Sequence, residues 1–308
     1  MYDTIDLTVI KSDLPDVDFL NEFPQYLTFI KTEGFRRNER GEYNYVSGYL
    51  DSLEVFITPF SLKIHGSICK YYHGNNINTL TLKEAQEAFQ RISDTLGIPL
   101  SLMHVTRMDI AANIEVDQPV QTYLSLLDSV SRYSKRTYEG KGVSFETKKQ
   151  KLVFYDKNKE LNISRKNPIL RYEWRVNNMK SLKVIPKNGE FVTVEDLCAV
   201  DFWNKIVDGW YKRYLSVLKK TLPQYDWSRV KGVKELKILG LSVLCEMFPV
   251  REILKENVKN GVIKESTFKS IKSILKDISF SLPERKHNLI EELDMKMKAV
   301  VEQFKQQI

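Results

Sequence analysis

Cysteine is scarce: Cys69, Cys198 and Cys245 stand far apart in a chain of 308 residues. An odd count with no Cys-x-x-Cys pair excludes a disulfide framework and a cysteine zinc site. Histidine is nearly as rare, with His65, His73, His104 and His287 showing neither His-x-His nor His-x-x-x-His spacing. There is no Gly-x-x-x-x-Gly-Lys-Ser/Thr loop and no Gly-x-Ser-x-Gly elbow, which leaves out phosphate-loop and nucleophile-elbow chemistry. No apolar run approaches the roughly 20 residues that a membrane-spanning helix needs. Met1-Tyr-Asp-Thr-Ile-Asp6 enters a strand pattern without a basic-then-apolar leader, so a cytoplasmic protein is expected. Any chemistry must rest on tyrosine, carboxylates and basic groups, with a hard cation on oxygen ligands as the expected helper.

Charge is plentiful but uneven. The formal net charge is +7, while residues 131–183 hold 15 Lys or Arg against 5 Asp or Glu. Cations gathered this way replace counterions condensed on a phosphate backbone, although a solvated charged surface has the same composition. Tyr133, Tyr138, Phe145, Phe154, Tyr172 and Trp174 lie among them, as stacking of single-stranded bases would need.

Inside that window Lys151 to Glu160 reads as a basic strand around Tyr155, and Leu170 to Val176 as its partner. Alternation sets Val153, Tyr155 and Lys157 on one face and Leu152 and Phe154 on the other. On the partner, Leu170, Tyr172, Trp174 and Val176 form an apolar face opposite Arg171, Glu173 and Arg175. Two readings stay open: a half-solvated hairpin, or a site joining a nucleophile, a carboxylate and cations. The strand around residue 108 adds Arg107 and Asp109 on one face, and a carboxylate in so apolar a strand requires a cation or metal partner. Lys63, His65 and Ser67 alternate with Leu62 and Ile64; His65 is a candidate ligand or phosphate donor, though a lone strand histidine is more often structural.

Strands are expected at residues 5–10, 27–33, 43–50, 53–58, 61–71, 101–115, 143–145, 151–156 and 169–176. Thr81 and Glu84 form a capping box, with Ala85, Phe89, Ile92 and Leu96 on one helical face that ends at Gly97. A second helix is expected at 120–131. A sheet with inserted helices means an α+β domain. A long helix is expected from Thr193 to Leu218, stopping before Pro223, then short amphipathic helices. Ile290, Leu293, Met297, Val300 and Phe304 mark the seam of a coiled coil or of a final helix docked on its own chain, and docking is favoured because two heptads rarely hold a dimer alone. No internal repeat is visible. The expected division is residues 1–187 and an all-helical 188–308.

Four segments in order carry a family pattern. They are Lys63-Ile64-His65-Gly66-Ser67 with Tyr72-His73-Gly74-Asn75-Asn76; Arg107-Met108-Asp109; Leu152-Val153-Phe154-Tyr155-Asp156-Lys157 with Glu160; and Leu170-Arg171-Tyr172-Glu173. Together they resemble the filamentous-phage gene II type of replication initiator, a group that includes plasmid and phage-like replication proteins. The resemblance covers about residues 1–183 and is strongest from Leu62 onward. It implies an antiparallel-sheet nuclease domain with helices packed on the sheet, followed by an all-helical region, acting in the cytoplasm of a bacterial host.

It further implies that Tyr155 nicks one strand of supercoiled origin DNA, leaving a 5′-phosphotyrosyl link and a 3′-hydroxyl primer. Lys157 would assist ionisation of the tyrosine. Mg²⁺ or Mn²⁺ would be held by Asp109 and Glu173 with His65 or Glu160. Arg107, Arg171, Arg175, Lys63 and Lys159 would hold DNA phosphates. The expected partners are supercoiled and single-stranded DNA; the helical region would either dock a helix in the major groove, with Lys264, Lys269, Lys272 and Lys276 as a basic face, or recruit a host helicase or polymerase. The chain departs from better-known rolling-circle initiators in lacking their His-hydrophobic-His metal motif. A non-catalytic DNA-binding regulator and a relaxase for plasmid mobilisation are the alternatives.

Overall fold

The computed structural model describes residues 1–38, 41–138, 141–162, 167–182, 191–220, 230–247, 249–281 and 289–306. Strand β1 (Tyr2–Ile10) and a short helix α1 (Phe19–Glu22) lead into the meander β2 (Phe29–Asn38), β3 (Gly41–Leu50), β4 (Leu53–Thr58) and β5 (Ser61–Ser67). Helices α2 (Ile68–His73) and α3 (Leu82–Leu96) follow. The same order then returns. Strand β6 (His104–Glu115), helix α4 (Val120–Leu126) and a short strand β7 (Leu127–Ser129) precede a second meander. Its members are β8 (Ser134–Tyr138), β9 (Gly142–Glu146), β10 (Gln150–Asp156) and, after the helical turn α5 (Lys157–Glu160), β11 (Ile169–Val176). Helices α6 (Val194–Leu197) and α7 (Val200–Leu215) and the strand β12 (Leu218–Lys219) come next, then α8 (Val233–Met247), α9 (Val250–Lys259), α10 (Glu265–Ser281) and α11 (Leu289–Gln306).

Ten strands join one antiparallel sheet in the order β2-β3-β4-β5-β1-β6-β11-β10-β9-β8. Each half is a five-strand unit whose last strand returns to pair with its first, and the equivalent strands β1 and β6 meet antiparallel at the seam. This is the arrangement that a two-fold axis through the sheet would give. The expectation of no internal repeat is therefore corrected at the level of topology. A topology needs only alternation and turns, so two halves can share it without sharing residues.

Alternation splits the sheet into two faces. Ile5, Leu7, Ile64, Ile110, Phe154, Tyr172 and Trp174 point to the apolar side and are buried. Helices α3, α7 and α11 cover it through aromatic anchors. Trp203 of α7 meets Tyr2 edge-on at 5.1 Å, Trp210 lies 4.8 Å from Tyr172, and Trp203 Nε1 donates to the Phe304 carbonyl of α11 at 3.0 Å. Each such side chain contributes roughly 1.5–3 kcal/mol by burial. The capping box at Thr81 and Glu84 is present, and Gly97 ends α3 with φ 65°.

Several elements differ from the sequence reading. The strand expected through residue 71 stops at Ser67, whose hydroxyl caps α2 by accepting from Lys70 N. The helix expected at 120–131 ends at Leu126, where the chain turns into β7 and pairs with β12. Strand β8 was not expected, because Ser134–Tyr138 is exposed throughout and carries no apolar alternation. The single helix expected from 193 to 218 is broken at Cys198 and Ala199 into α6, with its own Thr193–Asp196 capping box, and α7.

Two compact units are present: Met1–Lys220 with Leu293–Ile308, and Thr221–Glu292. The first therefore includes α6, α7 and most of α11, whose Leu293, Met297 and Phe304 are buried as the docked-helix reading expected. The expected boundary at 187/188, Pro223 and His287 lie outside the described residues, as does the side chain of Lys276. The second unit is helical, with α8 and α9 packing against α10. No described helix is long and apolar enough to cross a membrane.

Candidate functional site

The site lies on the polar face at β6, β11 and β10. Register sets Tyr155 opposite Arg171, Val153 opposite Glu173, and Arg175 between Lys151 and Asp109. The half-solvated hairpin is ruled out by burial, since Arg171, Glu173 and Asp109 are 2%, 3% and 3% exposed. Charges so buried persist only when paired and hydrogen-bonded.

They are paired. Tyr155 Oη donates to Glu173 Oε1 at 2.7 Å, and Arg171 Nε donates to the same oxygen at 2.7 Å. Arg175 gives two nitrogens to Glu173 Oε2, at 2.8 and 2.6 Å. Arg171 also donates to Asp3, to Asn113 Oδ1 at 3.0 Å and to the Asn76 carbonyl at 3.4 Å. Arg107 grips Asp109 in a two-pronged contact at 3.2 and 2.8 Å, while Arg175 Nε lies 3.8 Å from Asp109 Oδ2. Forked guanidinium pairing of this kind is stronger and more directional than a single bond.

The electrostatics follow. Burial would raise the Glu173 carboxyl, but Arg171 and Arg175 outweigh it and bring it to about 2. Burial pushes the Tyr155 hydroxyl well above its ordinary range, and the Glu173 charge pushes further, with Arg171 opposing. Burial lifts Asp109 to about 6 despite Arg107. As folded, the proton therefore stays on Tyr155 and the charge on Glu173.

Lys157 departs from the strand reading. Asp156 caps α5 by accepting from Lys159 N at 3.1 Å, so Lys157 starts a helical turn instead of continuing β10. It is buried, with Nζ 5.9 Å from the Tyr155 ring centre and 2.7 Å from Glu160 Oε2, the latter without hydrogen-bond alignment. Burial lowers its pKa, and Glu160 opposes that.

The residues named for a cation do not assemble. His65 pairs with Asp6 at 2.5 Å on β1, and β1 separates it from β6. Glu160 is exposed and faces Lys157. Asp109 and Glu173 are two register positions apart, but Arg175 stands against both, 3.8 Å from Asp109 Oδ2 and 2.6 Å from Glu173 Oε2. Both Glu173 oxygens already accept from Tyr155, Arg171 and Arg175. Among the described residues no group of three or more His, Cys, Asp or Glu could hold a metal. As arranged, this donor set fits guanidinium groups and not a metal ion.

Of the expected phosphate contacts, Arg107 and Arg175 have side chains 29% and 33% exposed and are reachable by DNA, whereas Arg171 at 2% is not. Lys63 lies on β5, away from the tyrosine, and Lys159 is exposed on α5. Sequence reasoning missed Asp3 and Asn113, which complete the shell of Arg171. The rule that singled out Asp109, a carboxylate in an apolar strand, applies equally to Asp3 and would have found it.

Residues 54–185 match the family described as the N-terminal region of the phage replication-associated gene II protein. That stretch runs from β4 through β11 and contains Arg107, Asp109, Tyr155, Arg171, Glu173 and Arg175. Among solved structures, the rolling circle replication initiator protein from Geobacillus stearothermophilus is similar at 13% identity, covering 69% of this chain and 84% of that chain with a TM-score of 0.41. No curated protein matches the chain.

Proposed function

From a chain whose residues 54–185 belong to the gene II replication-associated family, we propose a rolling-circle replication initiator that cuts and rejoins one DNA strand through Tyr155. The observation that carries this reading is the bond from Tyr155 Oη to a Glu173 carboxylate held by two arginines, inside the matched segment. A tyrosine beside a proton acceptor and guanidinium groups has the parts that phosphoryl transfer needs.

The Tyr155 oxygen attacks a backbone phosphorus, forming the Tyr–O–P bond as the P–O3′ bond breaks. Its proton passes to Glu173, and the departing 3′ oxygen takes a proton from solvent. The resting site opposes this, because Glu173 is too weak a base while Arg171 and Arg175 both hold it. An incoming phosphate changes that balance. Arg175, partly exposed, and Arg107 turn toward the phosphate oxygens, and Glu173 regains basicity as one guanidinium leaves it. Arg171 keeps its bonds to Asp3 and Asn113 and acts as a positioning residue. The phosphotyrosyl bond preserves the energy of the phosphodiester, so the reverse attack by a 3′-hydroxyl rejoins the strand. Supercoiled origin DNA is the substrate, and no step is assigned to a metal.

The test uses supercoiled plasmid carrying the replicon's own origin, with and without Mg²⁺ or Mn²⁺. Relaxed DNA and a covalent protein–DNA adduct are expected from the parent chain, and neither from Tyr155→Phe. Adduct from Tyr155→Phe, or none from the parent, refutes the assignment.

A further inference from the structure

The polar face of the sheet does not end at Tyr155. In the first half of the duplicated topology it carries Tyr45 on β3, Phe56 on β4, Lys63 and His65 on β5 and Asp6 on β1, and it opens there into a groove of about 580 Å³. By strand order, β4 and β5 are the counterparts of β10 and β11, so this groove is the equivalent of the Tyr155 site in the other half. The two faces are continuous: Asp6 is paired across the sheet with His65 on one side and Arg107 on the other.

The groove is built differently from its counterpart. Its two carboxylates are already answered, Asp6 by His65 at 2.5 Å and Glu54 by Lys31 at 3.7 Å. Arg36 and Lys63 are exposed and, among the described residues, have no carboxylate partner. The Arg36 guanidinium lies 4.6 Å from the Phe56 ring centre and 5.1 Å from that of Tyr45. A guanidinium that lies over two aromatic rings without a carboxylate partner, and a second cation across the ladder from Phe56, suit an anionic backbone that draws the guanidinium away and bases that take its place on the rings. A duplex keeps its bases covered and would leave the rings unused.

We propose that this groove is a second, non-catalytic binding site for single-stranded DNA, holding phosphates on Arg36 and Lys63 and a base against Phe56 and Tyr45, on the strand that runs to Tyr155. The proposal rests on the reading of the chain as a DNA-nicking protein, but its test does not need the nick.

The full chain carrying Tyr155→Phe is titrated with a fluorescein-labelled oligothymidylate and followed by anisotropy across a salt series. Adding Arg36→Ala with Lys63→Ala is expected to weaken binding about tenfold or more and to flatten the log–log salt slope by about 1.4, at about 0.7 per lost phosphate contact. Phe56→Leu is expected to weaken binding with the slope unchanged, and Arg36→Lys to keep the slope while losing part of the affinity. These side chains are not in the buried core, so thermal midpoints should stay put and serve as the folding control. Absence of oligonucleotide binding, an unchanged affinity and slope in the double variant, or tighter binding of duplex through the same residues overturns the proposal. Adduct formation by the chain with Tyr155 intact is scored separately. Adduct with unchanged groove binding removes the groove alone, and groove binding without adduct removes the nicking reading alone.

Discussion

Replacing Glu173 by Gln tests the buried network apart from any chemistry. The substitution keeps the shape and mimics the protonated carboxyl, so its cost is set by how strongly the fold prefers the charged form. Glu173 is held at about 2 against an ordinary value of 4.5, which corresponds to about 3.4 kcal/mol at ~1.36 kcal/mol per unit. A second route agrees. Removing one partner of a buried ion pair costs about 3–5 kcal/mol, and the low end applies here. Arg171 keeps Asp3 and Asn113, and Arg175, at 33% exposed, can turn to water. The expected loss at pH 7 is therefore about 3 kcal/mol, or a fall of about 6–12 °C in Tm for a unit of this size. Urea denaturation followed by circular dichroism measures it. Because the folded pKa is depressed, the stabilisation is present above 4.5 and is lost as pH falls toward 2. The gap between parent and variant should close across that window. A loss under about 1 kcal/mol, or a gap that ignores pH, refutes the buried-network argument.

Gly142→Ala tests how Tyr155 is placed: a Cβ there would meet the Phe154 carbonyl at 2.6 Å and Tyr155 Cβ at 2.9 Å. It should cost about 1–3 kcal/mol and lower the rate of adduct formation while oligonucleotide binding persists, as gel and anisotropy assays would show. Asp109 has a folded pKa raised from 3.8 to about 6, so between these values the folded chain binds more protons and stability falls as pH rises, by about 3 kcal/mol in total. Asp109→Asn should flatten that window in urea titrations at stepped pH. The family-matched segment 54–185 expressed alone should show no cooperative unfolding in circular dichroism, because it lacks β1, which lies between β5 and β6.

What the sequence disclosed and what it hid follow from range. Alternation is local, so strands β4 and β11, the capping box at Thr81 and the polar faces holding Tyr155, Glu173 and Asp109 were all legible. The seam of the final helix was legible too, since Leu293, Met297 and Phe304 repeat within one element. Partners were not. Whether Glu173 faces a metal, a phosphate or Arg171 depends on strands brought together from residues 3, 109, 155 and 175. The turn at Lys157 was hidden for another reason: Asp156 can continue a strand or cap a helix, and only the hydrogen bond from Lys159 N decides between them. Strand β8 shows the converse, a segment with no apolar alternation that is held by its pairing to β9.

The duplicated topology explains why the tyrosine site is one-sided yet needs both halves. Arg171 sits in the second half, but three of its contacts reach back to the first or to the seam: Asp3 at the start of β1, the Asn76 carbonyl, and Asn113, whose amide donates to the Ile77 carbonyl at 2.7 Å. Asp3 is itself oriented by Ser67, the residue that ends β5 and caps α2, at 2.8 Å. The seam therefore supplies the charge that holds Arg171, and Arg171 holds the Glu173 that receives the Tyr155 hydroxyl bond. In the first half the polar face of β5 carries Lys63, which is exposed, and His65, which is paired with Asp6, whereas β11 buries an arginine and a glutamate. Tyr155 and the carboxylate that accepts its hydroxyl bond are thus confined to one half, while the other keeps an open face with Arg36 and Lys63 exposed on it.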